Sequence, residues 1–206
     1  MRKIQLIGDL MLLAIKLQIF FFYRVLKGAI IFGIFPGFLF VYRVLNDCIE
    51  QKSISHISLR NEVSRLSKDE IVKINILGFG FSIFLWIIGL NRQVIRLYMA
   101  APVLNFLTLL MLIITICTLI YILPILSKYE LPITQYLYQA FLLSFISIID
   151  TVAIIFGVAI VAIIAFVFPP FALFMSIPLV FTPYVWFSRN AVKRLENVLY
   201  KKIEDK

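Results

Sequence analysis

Residues 98–126 read YMAAPVLNFLTLLMLIITICTLIYILPIL, without one charged side chain. A transmembrane helix needs about 20 mostly apolar residues to cross roughly 30 Å of hydrocarbon. This run exceeds that length, and no period-two alternation marks it as strand. In lipid a backbone must satisfy its own hydrogen bonds, which a continuous helix does. Working outward, further apolar runs occupy residues 4–23, 28–42, 74–90, 151–168 and 171–187; the run at 28–42 is short and is interrupted by Pro36-Gly37. The expected fold is all-α, a polytopic membrane helix bundle of about six transmembrane or membrane-embedded helices, forming one domain over residues 1–206.

Composition agrees with that reading. The chain is 62% hydrophobic and 15% charged, with a mean hydropathy of +1.01, against about 45–50% and about 25% for soluble domains. A water-soluble fold so composed would expose apolar patches that monomers avoid. The net charge of +9 clusters in loops and tails, which fits cytoplasmic membrane loops better than a nucleic-acid partner. With the N-terminus inside, 15 Lys and Arg fall on the cytoplasmic side and four, Arg24, Lys27, Arg92 and Arg96, on the other. Both termini are therefore expected in the cytoplasm of a plasma-membrane protein. A mixed-charge cytoplasmic segment would cover residues 43–73 and a basic tail residues 188–206. Trp86 and Tyr98 would mark one interface, and Tyr129, Tyr184 and Trp186 the other. Met1-Arg2-Lys3 resembles the start of a signal peptide, but Asp9 and Lys16 break the apolar run and no small-x-small cleavage site follows. The N-terminus is expected to stay on the mature chain.

Two amphipathic stretches accompany the spans. Leu59, Val63, Leu66 and Glu70 follow helical spacing and predict a cytoplasmic helix that continues into, or docks onto, the third span. It is either a solvated surface helix or a partner-docking arm. Residues 132–149 predict an interfacial helix anchored by tyrosines.

Ionisable groups within a membrane cost roughly 2.5 kcal/mol or more, so each is a functional candidate. Asp9, Lys16, Arg24 and Lys27 sit at intervals that keep them near one face of the first helix. They form a cationic stripe towards a partner helix or anionic ligand, or else anchor and snorkel. Asp150 is placed to cap the helix that follows, or to serve as a coupling-ion site. Gly33 and Gly37 form a Gly-x-x-x-Gly pair around Pro36, a spacing that lets membrane helices approach closely, within this chain or against another protein. Cys48 and Cys117 fit neither a disulfide framework nor a metal pair. His56 is the one histidine, and a catalytic zinc site takes three protein ligands. No phosphate-binding loop, nucleophile elbow or His-Glu-x-x-His occurs. The expectation is a non-enzymatic protein with no cofactor or metal.

Taken in order, several features resemble one known family. They are Gly33-Ile34-Phe35-Pro36-Gly37 with an apolar run ending at Arg43, a mixed-charge loop, and a helix containing Gly78 and Gly80. Tyr121-Ile122-Leu123-Pro124, Tyr129-Glu130, Gln139-Ala140-Phe141-Leu142-Leu143, a last pair of spans and a basic tail follow. The chain resembles the YesL-type family of small membrane proteins, found mainly in Gram-positive bacteria, over nearly its whole length. Its members are typically encoded beside binding-protein-dependent sugar importers. The resemblance implies an accessory or regulatory protein associated with a carbohydrate ABC importer, in contact with its membrane subunits. It supplies no catalytic residues, and Lys16 and Gln18 stand where more apolar residues are expected. The competing expectation is a secondary transporter or channel for a small solute, in which Asp150 and Lys16 would matter most.

Overall fold

The computed structural model describes residues 2–51, 66–99 and 101–204, and among these it contains helices and turns but no strand. Helix α1 (Arg2–Lys27) leads through a turn and a short 3-10 segment (Ile31–Gly33) into α2 (Ile34–Gln51). Then come α3 (Lys68–Val94) with a terminal π turn (Ile95–Met99), α4 (Pro102–Lys128), α5 (Ile133–Ile146), α6 (Ile148–Val167) and α7 (Pro169–Glu204). Leu59, Val63 and His56 lie outside the described residues.

Local chemistry sets the boundaries. Ser67 caps α3 in a reciprocal capping box: its hydroxyl accepts the Glu70 N–H while Glu70 accepts the Ser67 N–H. The chain is extended at Ser67, so α3 starts there and no helix passes unbroken from the preceding segment into the span. The signal, Ser-x-x-Glu, lies in the sequence at residues 67–70. Pro102 opens α4, where a missing N–H costs nothing. Pro36 falls in the first turn of α2 and is tolerated for the same reason, so it does not interrupt that helix.

The burial pattern is that of a protein in lipid. On α4 the inward side carries Thr108, Thr115, Thr118 and Tyr121, while Leu107, Met111, Ile113 and Ile116 face outward. Each of these threonines donates its hydroxyl to a carbonyl of its own helix, which satisfies it without a partner helix. Polar inside and apolar outside is the reverse of what water selects. Among the described residues, four segments are long and apolar enough to cross a membrane: Ile31–Glu50, Lys68–Tyr98, Pro102–Lys128 and Ile148–Val167. Helix α5, about 21 Å long at 1.5 Å per residue, is too short to do so.

The first two apolar segments form an antiparallel hairpin. Phe21 stacks on Phe38 with ring centroids 5.2 Å apart, and Gly33 and Gly37 lie against Val25 and Phe21. The Gly-x-x-x-Gly pair thus packs within the chain. A Cβ on Gly33 would stand 2.5 Å from the Val25 carbonyl oxygen. The tip is strained: Ile30 has φ 66° and ψ −66°, and the Ile31 N–H closes back onto the Ala29 carbonyl.

This hairpin does not run the length of the bundle. Arg43 meets Glu70, whereas Phe32 and Phe35 at the tip meet Phe79, and Asn75 donates to the Phe32 carbonyl. Helix α3 continues from Phe79 to Val94, about 22 Å beyond the tip. From Arg43 back to Gly33 is only about 15 Å, half the hydrocarbon thickness. The hairpin tip therefore meets α3 near its middle, while Ile31–Glu50 keeps the length and hydropathy of a membrane span. Arg24 and Lys27, in the last turn of α1, lie near that tip, which meets α3 at Asn75 and Phe79.

Candidate functional site

The ends of α2, α4 and α7 and the start of α3 meet at one end of the bundle, here called the near end. Charge concentrates there because the apolar runs stop there. Arg43 of α2 grips Glu70 of α3 through two contacts of 2.5 and 3.3 Å, and also donates to the Leu126 carbonyl of α4. Glu50 of α2 faces Arg189 of α7 at 3.3 Å. Lys128 of α4 pairs with Glu196 of α7 at 2.6 Å, and the Tyr129 hydroxyl donates to the same carboxylate at 2.7 Å. Asp150 of α6 lies 3.3 Å from Arg194 of α7. Four ion pairs therefore fasten α2 to α3, α2 to α7, α4 to α7 and α6 to α7.

Within this belt opens a cavity of about 460 Å³, lined by Tyr42, Arg43, Asp47 and Glu50 of α2, Lys128 of α4, and Arg189 and Lys193 of α7. Tyr42, one of its lining residues, is fixed by a buried contact between its hydroxyl and Ser188 Oγ at 3.1 Å. The wall carries both signs, so the cavity suits a zwitterionic solute or a partner's charged segment. In the α7 tail, burial works against the Glu196 carboxylate, but the bonds from Lys128 and Tyr129 outweigh it and hold the group below its ordinary range. Among the described residues, no three His, Cys, Asp or Glu side chains gather in a way that could hold a metal ion.

Beneath the cavity the core is knit by tyrosines. The Tyr121 hydroxyl reaches the Ser147 carbonyl at 3.2 Å and Thr151 Oγ1 at 2.8 Å. Pro124 lacks an N–H, so the Ile120 carbonyl one turn earlier has no helical partner. The Tyr184 hydroxyl of α7 fills that vacancy at 2.5 Å. Tyr184 is thus a core residue and not part of an interfacial belt. Trp86 and Tyr98 are both exposed but stand about 18 Å apart along one helix, too far to mark the same interface.

The sequence-predicted positions do not converge. Lys16 is exposed, while Arg24 is only 9% exposed. Eight residues turn a helix through about 80° beyond two full turns, enough to separate them. Asp9 belongs to α1. Asp150 is buried, but it does not cap its helix: Ser147 occupies the cap position, and Asp150 sits in the first turn facing Arg194. Gly33, Pro36 and Gly37 are used inside the hairpin. Of the belt residues, Arg43 stands out in the sequence only as the end of an apolar run and Glu70 only by helical spacing, while Glu50, Lys128, Arg189 and Glu196 carry no motif. Their sequence signal is that each follows or precedes an apolar run, but which charge meets which depends on register. No protein-family model, curated protein or solved structure matches this chain.

Proposed function

We propose that this chain is a non-enzymatic accessory subunit of another membrane protein, receiving a charged segment of that partner in the near-end cavity. The observation that carries the reading is a cavity lined by fixed charges of both signs at the end where the helices are cross-braced. Such a wall offers complementarity to a charged protein surface, which sets specificity and register. A small-molecule site would be mostly apolar with few polar groups. The partner we propose is the membrane part of a carbohydrate ABC importer, on the strength of the YesL-type resemblance. The near end would face the cytoplasm of a cell membrane, with both termini there. Supporting this, the far end of α3 offers only Arg92 and Arg96 against the many cations of the near end.

The test is purification from native membranes in mild detergent, comparing the wild type with Lys193→Glu and Asp47→Lys. Importer subunits are expected to co-purify with the wild type and to be lost from the reversed variants. A clean monomer from wild-type membranes, with unchanged sugar uptake after deletion of the gene, would refute the reading. A secondary transporter is the second reading, and the buried Asp150 is the observation that favours it. Proton- or sodium-coupled flux in liposomes, abolished by Asp150→Asn, would establish it.

A further inference from the structure

The far end of α3 carries a second cavity of about 460 Å³, lined by Gly89, Arg92, Gln93, Arg96, Leu97 and Leu112. We infer that it binds the headgroup of an anionic membrane phospholipid, with one acyl chain running down over Leu112. Several independent features point there. Arg92 and Arg96 are four apart and so share a face of the helix. Arg92 presents a buried Nε that has no hydrogen-bond partner, a costly arrangement for a charged donor without an acceptor. The helix widens into a π turn at Ile95–Met99, which follows Arg92 and contains Arg96, and such turns recur at functional sites. The side of the cavity at Gly89 is open: a Cβ placed there would meet nothing within 4 Å, so only a longer side chain would fill it.

The chemistry of the ligand follows from the wall. Two guanidinium groups and the Gln93 amide supply donors, and phosphate oxygens accept from arginine in forked pairs. Among the lining residues there is no carboxylate to compete. Leu97 is 73% exposed beside the arginines, so an apolar tail fits where a free anion would leave that surface bare. Position agrees as well. About 20 helical residues span the hydrocarbon, and α3 runs 27 residues from Lys68 to Val94. With the near-end belt in one headgroup layer, Arg92 and Arg96 fall in the other.

The experiment is native mass spectrometry and lipid extraction of the full chain after reconstitution in vesicles of phosphatidylcholine with phosphatidylglycerol. Wild type, Arg92→Gln/Arg96→Gln and Gly89→Leu are compared. The wild type should retain phosphatidylglycerol through detergent washing, enriched several-fold over phosphatidylcholine. Both variants should lose that enrichment, the first by removing charge and the second by filling the cavity with both arginines intact. Unchanged thermal unfolding of the Gly89→Leu protein shows that loss of lipid is not loss of fold. Equal retention of both lipids by the wild type, or enrichment that survives in both variants, overturns the inference. Displacement of the bound lipid by millimolar inorganic phosphate overturns the assignment to a lipid and leaves a site for the free anion.

Discussion

Replacing Tyr184 by Phe isolates one physical effect, because it removes a single oxygen from a buried ring. That hydroxyl is the partner of the Ile120 carbonyl, 2.5 Å away, which Pro124 has deprived of its helical donor. Interhelical hydrogen bonds in membranes average only about 0.6 kcal/mol, with a maximum of about 1.7, because the separated helices find other partners. Here no other partner exists within α4, so the loss belongs at the upper end, about 1.5 kcal/mol. At about 2–4 °C per kcal/mol for a chain of this size, the unfolding midpoint should fall by about 3–6 °C. The informative comparison is made in a Pro124→Ala background. Alanine restores an N–H at position 124, which can donate to Ile120 within the helix. Tyr184→Phe should then cost less than half as much. Thermal unfolding in one detergent at one scan rate measures both differences, and the fixed rate matters because such transitions are often irreversible. If Tyr184→Phe costs the same in both backgrounds, the carbonyl is not what Tyr184 serves, and the reasoning fails.

Glu70 has two duties, and they can be separated. Glu70→Gln keeps a side chain able to accept the Ser67 N–H but loses the charge that holds Arg43, whereas Glu70→Ala loses both. Unfolding in detergent should place Glu70→Ala below Glu70→Gln by about 1 kcal/mol, the worth of a cap, and equal midpoints would contradict this. Gly33→Leu should prevent the α1–α2 hairpin from closing, since its Cβ would meet Val25 backbone oxygen at 2.5 Å, while Gly80→Ala, with open space around its Cβ, should leave the midpoint within about 1 kcal/mol of wild type. A monodisperse, wild-type-like Gly33→Leu protein would count against the hairpin. The Glu196 carboxylate titrates lower in the folded chain than in the unfolded one. Its contribution is therefore complete above the unfolded value of about 4.3 and vanishes as pH falls through the folded value. Midpoints measured from pH 7 downward should show this loss in the wild type and not in Glu196→Gln. Asp150→Asn and Arg194→Gln should cause similar, non-additive losses, because each removes half of one pair; additive losses would show that the two groups do not interact.

The helical membrane character was legible because it rests on composition and run length, which need no partner. Ser67-x-x-Glu70 was also legible as a capping box, yet the helical spacing of Leu59, Val63, Leu66 and Glu70 concealed the break. What the sequence could not disclose is depth. Residues 28–42 look like a short span, and only the contacts of Phe32 and Phe35 with α3 show where along that helix the tip of the hairpin sits. The ion-pair belt was hidden for a related reason: Arg43 and Glu70, or Lys128 and Glu196, are distant in sequence and become neighbours only through register.

Depth also weighs between the two functional readings. A coupled transporter needs polar groups that converge near the midplane and exchange partners during its cycle. The turn between α1 and α2 departs from helix opposite the middle of α3, and its neighbours there are Phe79, Gly78 and Asn75. Asp150, the one buried carboxylate among the described residues, lies at the near end, and its cation comes from the helix joined to its own by the turn at Phe168. Those two helices pack closely where Gly157 meets Pro183. Releasing Asp150 from Arg194 would mean sliding two helices that a single residue connects. A rigid, cross-braced end with a charged cavity is poorly suited to that motion and well suited to holding a partner in fixed register.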